Sequence, residues 1–366
     1  MRRRDGPGGR AVRQHVRLLR SRRRERLGDA PRAAGSKASR NRAVEAFFGD
    51  SRLRDLLEGR EVMLVDVGAK GGIPKEWRPL LPVLEVIGFD PNWPQDIDEI
   101  AAEVYDLGGV PPAEKRKPQP YPTKTTFFPL GVAGRPGRRE FHVTRGPSMS
   151  SLLRPDAERA LLYGLGDDAV IVRTIEIETT TLDAVAEERQ LVFADFIKLD
   201  TQGSELEVLQ GAEGVLRDLA FGLRVEACLA PLYENQPLFS DIDPFLRERG
   251  FELMLITHRL AYPRLDPETA ARATRQSAAA LSLPPGGQLV VIDPVYLRSP
   301  SGVAARLEGL AAPDRRRYFA GAVLVCLVYG RVDYSLELLA LAEPMVGREF
   351  AGLVRQLIST FPAAAK

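Results

Sequence analysis

An apolar run at residues 62–67 (VMLVDV) ends in a glycine-bearing loop, Gly68-Ala69-Lys70-Gly71-Gly72, and a second apolar run at residues 83–89 ends in an acid, Asp90. Strand, tight loop, crossover, strand and acid is how a parallel α/β sheet builds a nucleoside-cofactor site at its carboxyl edge. The glycines let the backbone turn sharply and approach a ligand, and an acid ending the second strand can accept both ribose hydroxyls. A chain of 366 residues has room for one large α/β domain with an appendage, or for two smaller domains.

The rest of the chain reads as the remainder of that sheet. Helical spacing begins near Asn41, with Val44, Phe47, Phe48, Leu53, Leu56 and Leu57 on one side. Residues 111–122, rich in proline and basic side chains, read as an exposed loop. Residues 123–132 and 139–143 are strand-like, and residues 170–180 (VIVRTIEIETT) alternate as a half-solvated strand does before a helix opens at Thr181-Leu182-Asp183. A buried strand at residues 196–199 ends at Asp200, Gly203 turns the chain, Ser204 with Glu207 fits a capping box, and Gly211 suits the helix end. Strands follow at residues 221–227, 251–256 and 288–297, with a helix at 242–249 and a polar, alanine-rich helix plus loop at 261–287 laid over the site. From Ser301 onward the pattern is helical. The expected division is a basic disordered tail over residues 1–40, an α/β domain over 41–300 and a small helical C-terminal extension over 301–366.

Charge separates the tail from everything else. The net charge is +2, yet residues 1–42 hold 15 Arg and Lys against 3 Asp and Glu, leaving 36 against 46 for the remainder. One reading makes the tail an anchor for nucleic acid or acidic lipid; the plainer one is a solvated extension, and no aromatic interleaves its arginines for stacking on bases. The tail has no apolar stretch of secretory-signal length, and no run in the chain is long enough for a membrane span. Two cysteines in apolar stretches, Cys228 and Cys326, and three scattered histidines offer neither a disulfide framework nor a metal signature, so no metal is expected. A reducing, cytoplasmic compartment is the expectation.

The residue preceding the glycines narrows the cofactor. Where a dinucleotide fingerprint has its first glycine this chain has Asp66, a poor neighbour for a pyrophosphate. An acid there suits a cofactor with a positive amino group and a sulfonium, S-adenosylmethionine. The motifs VDVGAKGG with GFDP, PLGVAGRPG, TTTLD, DFIKLDTQGSELEVLQGA, RVEACLAPLYENQPLFSDIDPFLRERGFEL and the closing IDPVYLR resemble the FkbM-type S-adenosylmethionine-dependent methyltransferases over residues 62–298. That resemblance implies a Rossmann-like class I methyltransferase sheet, mostly parallel with seven strands and flanking helices. It also implies methylation of a hydroxyl oxygen on a sugar, glycan or secondary metabolite, with no specific nucleic-acid partner. Lys70 departs from the smaller or amide residues commoner in that loop, and neither the tail nor the C-terminal helices fall within the match.

On this reading Asp66, Gly68, Ala69, Gly71, Asp90 and Pro91 bind the cofactor, with Leu130, Gly131 and Val132 beside the adenine. Asp66 could equally cap its turn, Asp90 could be an ordinary acid before proline, and Leu130 and Val132 could be plain core. Asp200 and Glu226 are the carboxylates placed to accept the hydroxyl proton, with Glu205 and Gln202 as secondary candidates. Glu205 also fits a first-turn acid complementing a helix dipole. Lys198 shares a strand face with Asp200, so it is either a satisfied ion partner or a group that lowers a hydroxyl pKa. His142 and His258 have no partner visible in the sequence. Two other classes remain open: a nicotinamide-dependent oxidoreductase, and a non-catalytic Rossmann-like binding protein that uses its tail on nucleic acid or membrane.

Overall fold

Two-residue periodicity puts Leu64, Val86 and Phe196 on one face of a sheet and Val65, Ile87 and Ile197 on the other, and both sets are buried. The computed structural model describes residues 37–49, 51–69, 72–91, 122, 124–266, 268–270 and 287–362. The chain divides into two units, Met1–Ala43 with Ala364–Lys366, and Val44–Ala363. Of the first, residues 37–43 are described and lie in the helix Lys37–Phe48, so helix starts at Lys37 rather than near Asn41. The rest of the expected tail lies outside the described residues, as do residues 111–121 and 271–286 of the two expected loops.

In chain order the second unit contains β1 (Val62–Val67), β2 (Leu84–Phe89), β3 (Lys124–Phe128), β4 (Gly131–Val132), β5 (Gly137–Thr144), β6 (Ile171–Thr180), β7 (Ala194–Leu199), β8 (Ala220–Val225), β9 (Ala227–Cys228), β10 (Phe251–Tyr262) and β11 (Gln288–Arg298). The main sheet has the order β3-β2-β1-β7-β8-β11-β10, with β9 added against β11. From β3 to β8 the neighbours are parallel, while β11 runs antiparallel to both β8 and β10. This is the mostly parallel Rossmann-like sheet expected, with β9 as a two-residue eighth strand. Strand order reverses between β1 and β7, the place where open α/β sheets bind ligands.

Several element boundaries moved for local reasons. Pro79 and Pro82 keep Lys75–Val83 in 3-10 turns, so β2 starts at Leu84. Residues 123–132 are not one strand: β3 stops at Phe128 before Pro129, and β4 joins β5 and β6 in a separate sheet of order β4-β6-β5. β10 runs six residues beyond the expected end, to Tyr262, and three register shifts against β11 accommodate its length. The helix after β6 is Leu182–Glu188, capped as its sequence implies by Thr181, whose Oγ1 accepts the Ala184 N–H at 3.1 Å.

The C-terminal helices cover one face of the sheet. In Ala312–Val328 every residue from Tyr318 to Leu327 is buried, the signature of a helix with no solvent side. Tyr318 meets Phe221 of β8 edge to face at 6.4 Å, and Tyr329 lies 5.2 Å from Phe196 of β7. Tyr334 of Val332–Val346 donates to the Arg298 carbonyl at 2.6 Å, tying the next helix to the end of β11. Among the described residues no helix is long and apolar enough to cross a membrane.

Phe319 is fully buried in the cluster shared by these helices and the sheet. Phe319→Ala should cost about 3–5 kcal/mol, read as a lower urea midpoint at unchanged slope. A loss below about 1 kcal/mol would mean that the helix does not cover the sheet as described.

Candidate functional site

At the carboxyl edge, backbone hydrogen bonds carry the ladder one step past the strands. Asp90 N donates to Phe128 O at 3.2 Å, Gly68 N to Phe89 O at 2.9 Å, Asp200 N to Val67 O at 3.1 Å and Glu226 N to Leu199 O at 2.8 Å. Asp90, Gly68, Asp200 and Glu226 are thereby set in one line across four strand ends. Gly68 has φ +78°, and a Cβ there would stand 2.0 Å from the Asp200 carbonyl oxygen. Only glycine lets the two strand ends approach so closely.

Behind this line runs a row of charges. Asp66, Lys198 and Arg224 are register partners across β1, β7 and β8, so their side chains share a face. Lys198 Nζ donates to the Gly68 carbonyl at 2.7 Å and lies 2.9 Å from Asp66 Oδ1 and 3.5 Å from Asp200 Oδ2. The Asp66 contact is a buried ion pair, with both side chains almost wholly shielded from solvent. Burial raises the Asp66 carboxyl, with Lys198 pulling it back. Burial alone would lower the Lys198 ammonium, but Asp66 and Asp200 outweigh it and hold it above its ordinary value. Lys198 is thus ion-paired with Asp66 at the back of the edge. Arg224 continues the row to Glu76 at 2.8 Å and Asp293 at 3.9 Å.

In front of the row, Gln202 Nε2 donates to Asp200 Oδ1 at 2.8 Å and to Glu226 Oε2 at 2.7 Å. Tyr233 OH donates to Gln202 Oε1 at 3.1 Å. Burial, then Asp200 and Glu205, raises the Glu226 carboxyl well above its ordinary value. Glu205 is buried too, and burial pushes it up to about 7 against the pull of its backbone donors. The expected capping box does not form. Ser204 Oγ is buried without a hydrogen-bond partner, and Glu207 pairs instead with Arg139 at 2.7 Å. Glu205 takes over that work by turning back on the loop, accepting from Thr201 N at 2.8 Å and from Gly203 N with both oxygens.

The other expected residues divide. Ala69 is buried, Pro91 is half-buried beyond Asp90, and Gly71 lies outside the described residues. Asp66 is wholly buried, so it meets Lys198 rather than the open edge. Gly131 pairs with Thr179 of β6, where a Cβ would meet Ile177 at 2.9 Å. Val132 packs with Val65, Ile87 and Leu182 in the core, and Leu130 is half-buried just before it. His142 is buried in the smaller sheet with Nδ1 3.1 Å from Thr174 Oγ1, and His258 is exposed. Tyr233, Arg224 and Asp293 were not foreseen, because nothing local marks a tyrosine 31 residues after Gln202 as its partner. Among the described residues no group of three or more His, Cys, Asp or Glu is arranged to hold a metal ion.

Residues 102–253 match the Methyltransferase FkbM domain, the family that the sequence motifs resemble. No curated protein matches the chain. Among solved structures it is similar to magnesium protoporphyrin IX methyltransferase from Synechocystis PCC 6803 with bound SAM (13% identity, 81% of this chain and 100% of that one, TM-score 0.27). It is also similar to a variant of the 16S rRNA (adenine(1408)-N(1))-methyltransferase from Catenulisporales acidiphilia (16%, 68% and 90%, TM-score 0.26). A third is 1,6-didemethyltoxoflavin-N1-methyltransferase from Burkholderia thailandensis (12%, 82% and 93%, TM-score 0.22). Likenesses of this degree say nothing of the acceptor.

Glu205 and Glu226 give the site a measurable signature. A carboxyl raised in the folded protein keeps a proton that the unfolded chain gives up. Its contribution is fully present below the unfolded value, about 4.3, and is lost as pH rises through the folded value. For Glu205 that window ends near 7, and for Glu226 it also closes on the alkaline side of the ordinary carboxyl range. The ligand-free protein should therefore melt higher near about pH 5 than near about pH 8, with Glu226→Gln flattening the slope in scanning fluorimetry. An identical slope in the variant would mean that Glu226 ionises as freely folded as unfolded.

Proposed function

We propose that the chain is an S-adenosylmethionine-dependent methyltransferase that methylates a hydroxyl oxygen, on a sugar, glycan or secondary metabolite. One observation carries the reading: Asp200 and Glu226, inside the stretch matched to the FkbM domain, stand in line with Gly68 and Asp90, which precede that stretch, at the carboxyl edge where the strand order reverses. The residues fit the cofactor. Asp90 closes the end of β2 where a ribose is held in such sheets, and Gly68 leaves bare backbone where a Cβ could not stand. Asp200 and Glu226 suit a cationic ligand, and Asp66 supports them from below through Lys198.

Bound there, the cofactor would supply an electrophilic methyl group. Glu226, once ionised, is the group to receive the hydroxyl proton, because burial makes its carboxylate the stronger base. Asp200, 38% exposed at its side chain, orients the oxygen from the β7 end. Lys198, held charged by Asp66, keeps Asp200 in place rather than acting on the hydroxyl itself. Leu130, half-buried just before β4, would lie beside the adenine, with Gly131 and Val132 packed next to it.

Calorimetric titration with S-adenosylhomocysteine tests the cofactor. Wild type should bind near micromolar, on the order of −8 kcal/mol, and Asp90→Ala should lose at least about tenfold. No binding to folded wild type would sink the reading. Labelled methyl transfer to hydroxyl-bearing acceptors, beside amine-bearing ones, tests the oxygen chemistry, and transfer to amines alone would overturn it.

A further inference from the structure

One amide at the edge has every polar atom committed. Gln202 Nε2 gives one N–H to Asp200 and the other to Glu226, and Oε1 accepts from Tyr233, whose hydroxyl also lies 3.3 Å from the Met149 carbonyl. With the acids ionised they only accept, and the nitrogen then faces them and the oxygen the phenol. The backbone is bent to put the amide there. Gln202 has φ +60°, a region that favours glycine, and Gly203 follows at φ +107° with the Tyr233 ring 3.0 Å from where its Cβ would be. Such a conformation persists only where the surroundings over-determine it. They do so here: Glu205 gathers Thr201 N, Thr201 Oγ1 and Gly203 N, while Ser151 Oγ donates to the Gln202 carbonyl at 2.8 Å.

We propose that Gln202 is a positioning residue: its amide, aimed by Tyr233, holds the Asp200 and Glu226 carboxylates together as a pair and offsets their mutual repulsion. As a role in methyl transfer this rests on the function proposed above; as a property of the site it does not. Glu226 faces Asp200 and Lys198 from β7, Glu205 from the helix Glu205–Gln210, and Asp293 from β11. Among the described residues, Cys228 of β9, Tyr233 and Tyr262 of β10 also feel its charge. Amid so many acids, an N–H given to each carboxylate favours its charged form and offsets their mutual repulsion. Gln202→Glu keeps the shape but replaces both donors with a third acid, so the trio must retain a proton. Gln202→Leu removes the donors and adds no charge.

The test is the melting temperature across about pH 5 to 8 for wild type and both variants. Gln202→Glu should match wild type at the acid end and fall by ~5 °C or more below it at the alkaline end. Gln202→Leu should steepen the profile the same way but less, and adding Glu226→Gln to Gln202→Glu should remove most of the steepening. Titration of wild type with S-adenosylhomocysteine keeps this test separate from the cofactor reading. Profiles parallel to wild type but lower throughout mean a packing role only, and profiles superimposed on it mean no contact with the acids. Either overturns the proposal. If wild type fails to bind S-adenosylhomocysteine while the steepening holds, the cofactor reading falls and the amide's control of the two acids stands.

Discussion

The buried ammonium of Lys198 is the contact on which the carboxyl edge depends. It is 4% exposed, and its neighbours are Asp66, the Gly68 carbonyl and Asp200, drawn from both sides of the point where the strand order reverses. Burying a charge is unfavourable unless it is paired, and breaking a buried pair from one side costs about 3–5 kcal/mol because the other charge is left stranded. Asp66 would be that stranded charge. Apolar burial brings β1 and β7 together; what it does not fix is where the chain leaves them. Lys198 does so by holding the Gly68 carbonyl at one strand end and the Asp200 carboxylate at the next.

The same row of charges links the edge to the C-terminal helices. Asp66, Lys198 and Arg224 lie on the face that Leu64 and Phe196 share with the helix Ala312–Val328. Arg224 reaches Glu76 in the 3-10 segment that follows the glycine loop, and Trp77 beside it donates to Tyr329 OH at 3.1 Å. The exit of the glycine loop is therefore fastened on one side to the site's own cation row and on the other to the end of a C-terminal helix. The C-terminal helices thereby hold the segment that leads out of the glycine loop.

Legibility in the sequence followed the range of the interaction responsible. β1 was readable to the residue because an apolar run bounded by Gly68 is a local signal. The line of Asp90, Gly68, Asp200 and Glu226 was readable because each ends an apolar run, and parallel strands align their ends. Pro129 was visible, yet the departure of β4 into a second sheet needed β6, about forty residues on, to attract it. The capping box failed in the same way: Ser204 and Glu207 had the spacing, but Arg139 claimed Glu207 and the loop claimed Glu205. Tyr233 and Asp293 reach the site only through tertiary packing, beyond the reach of spacing.

The two acids at the edge differ by what surrounds them rather than by what they are. Asp200 stands beside Lys198 and is open enough to meet water. Glu226, one strand further on, has burial and three other acids against its charge, with Lys198 and the Gln202 amide in its favour. Environments that push two carboxyls apart divide acid from base work in many active sites. In this site a single amide touches both groups, and Tyr233 fixes which way that amide points. The amide serves both acids, so what sets Glu226 apart is its burial and the three acids around it, while Asp200 keeps Lys198 at 3.5 Å and an open side.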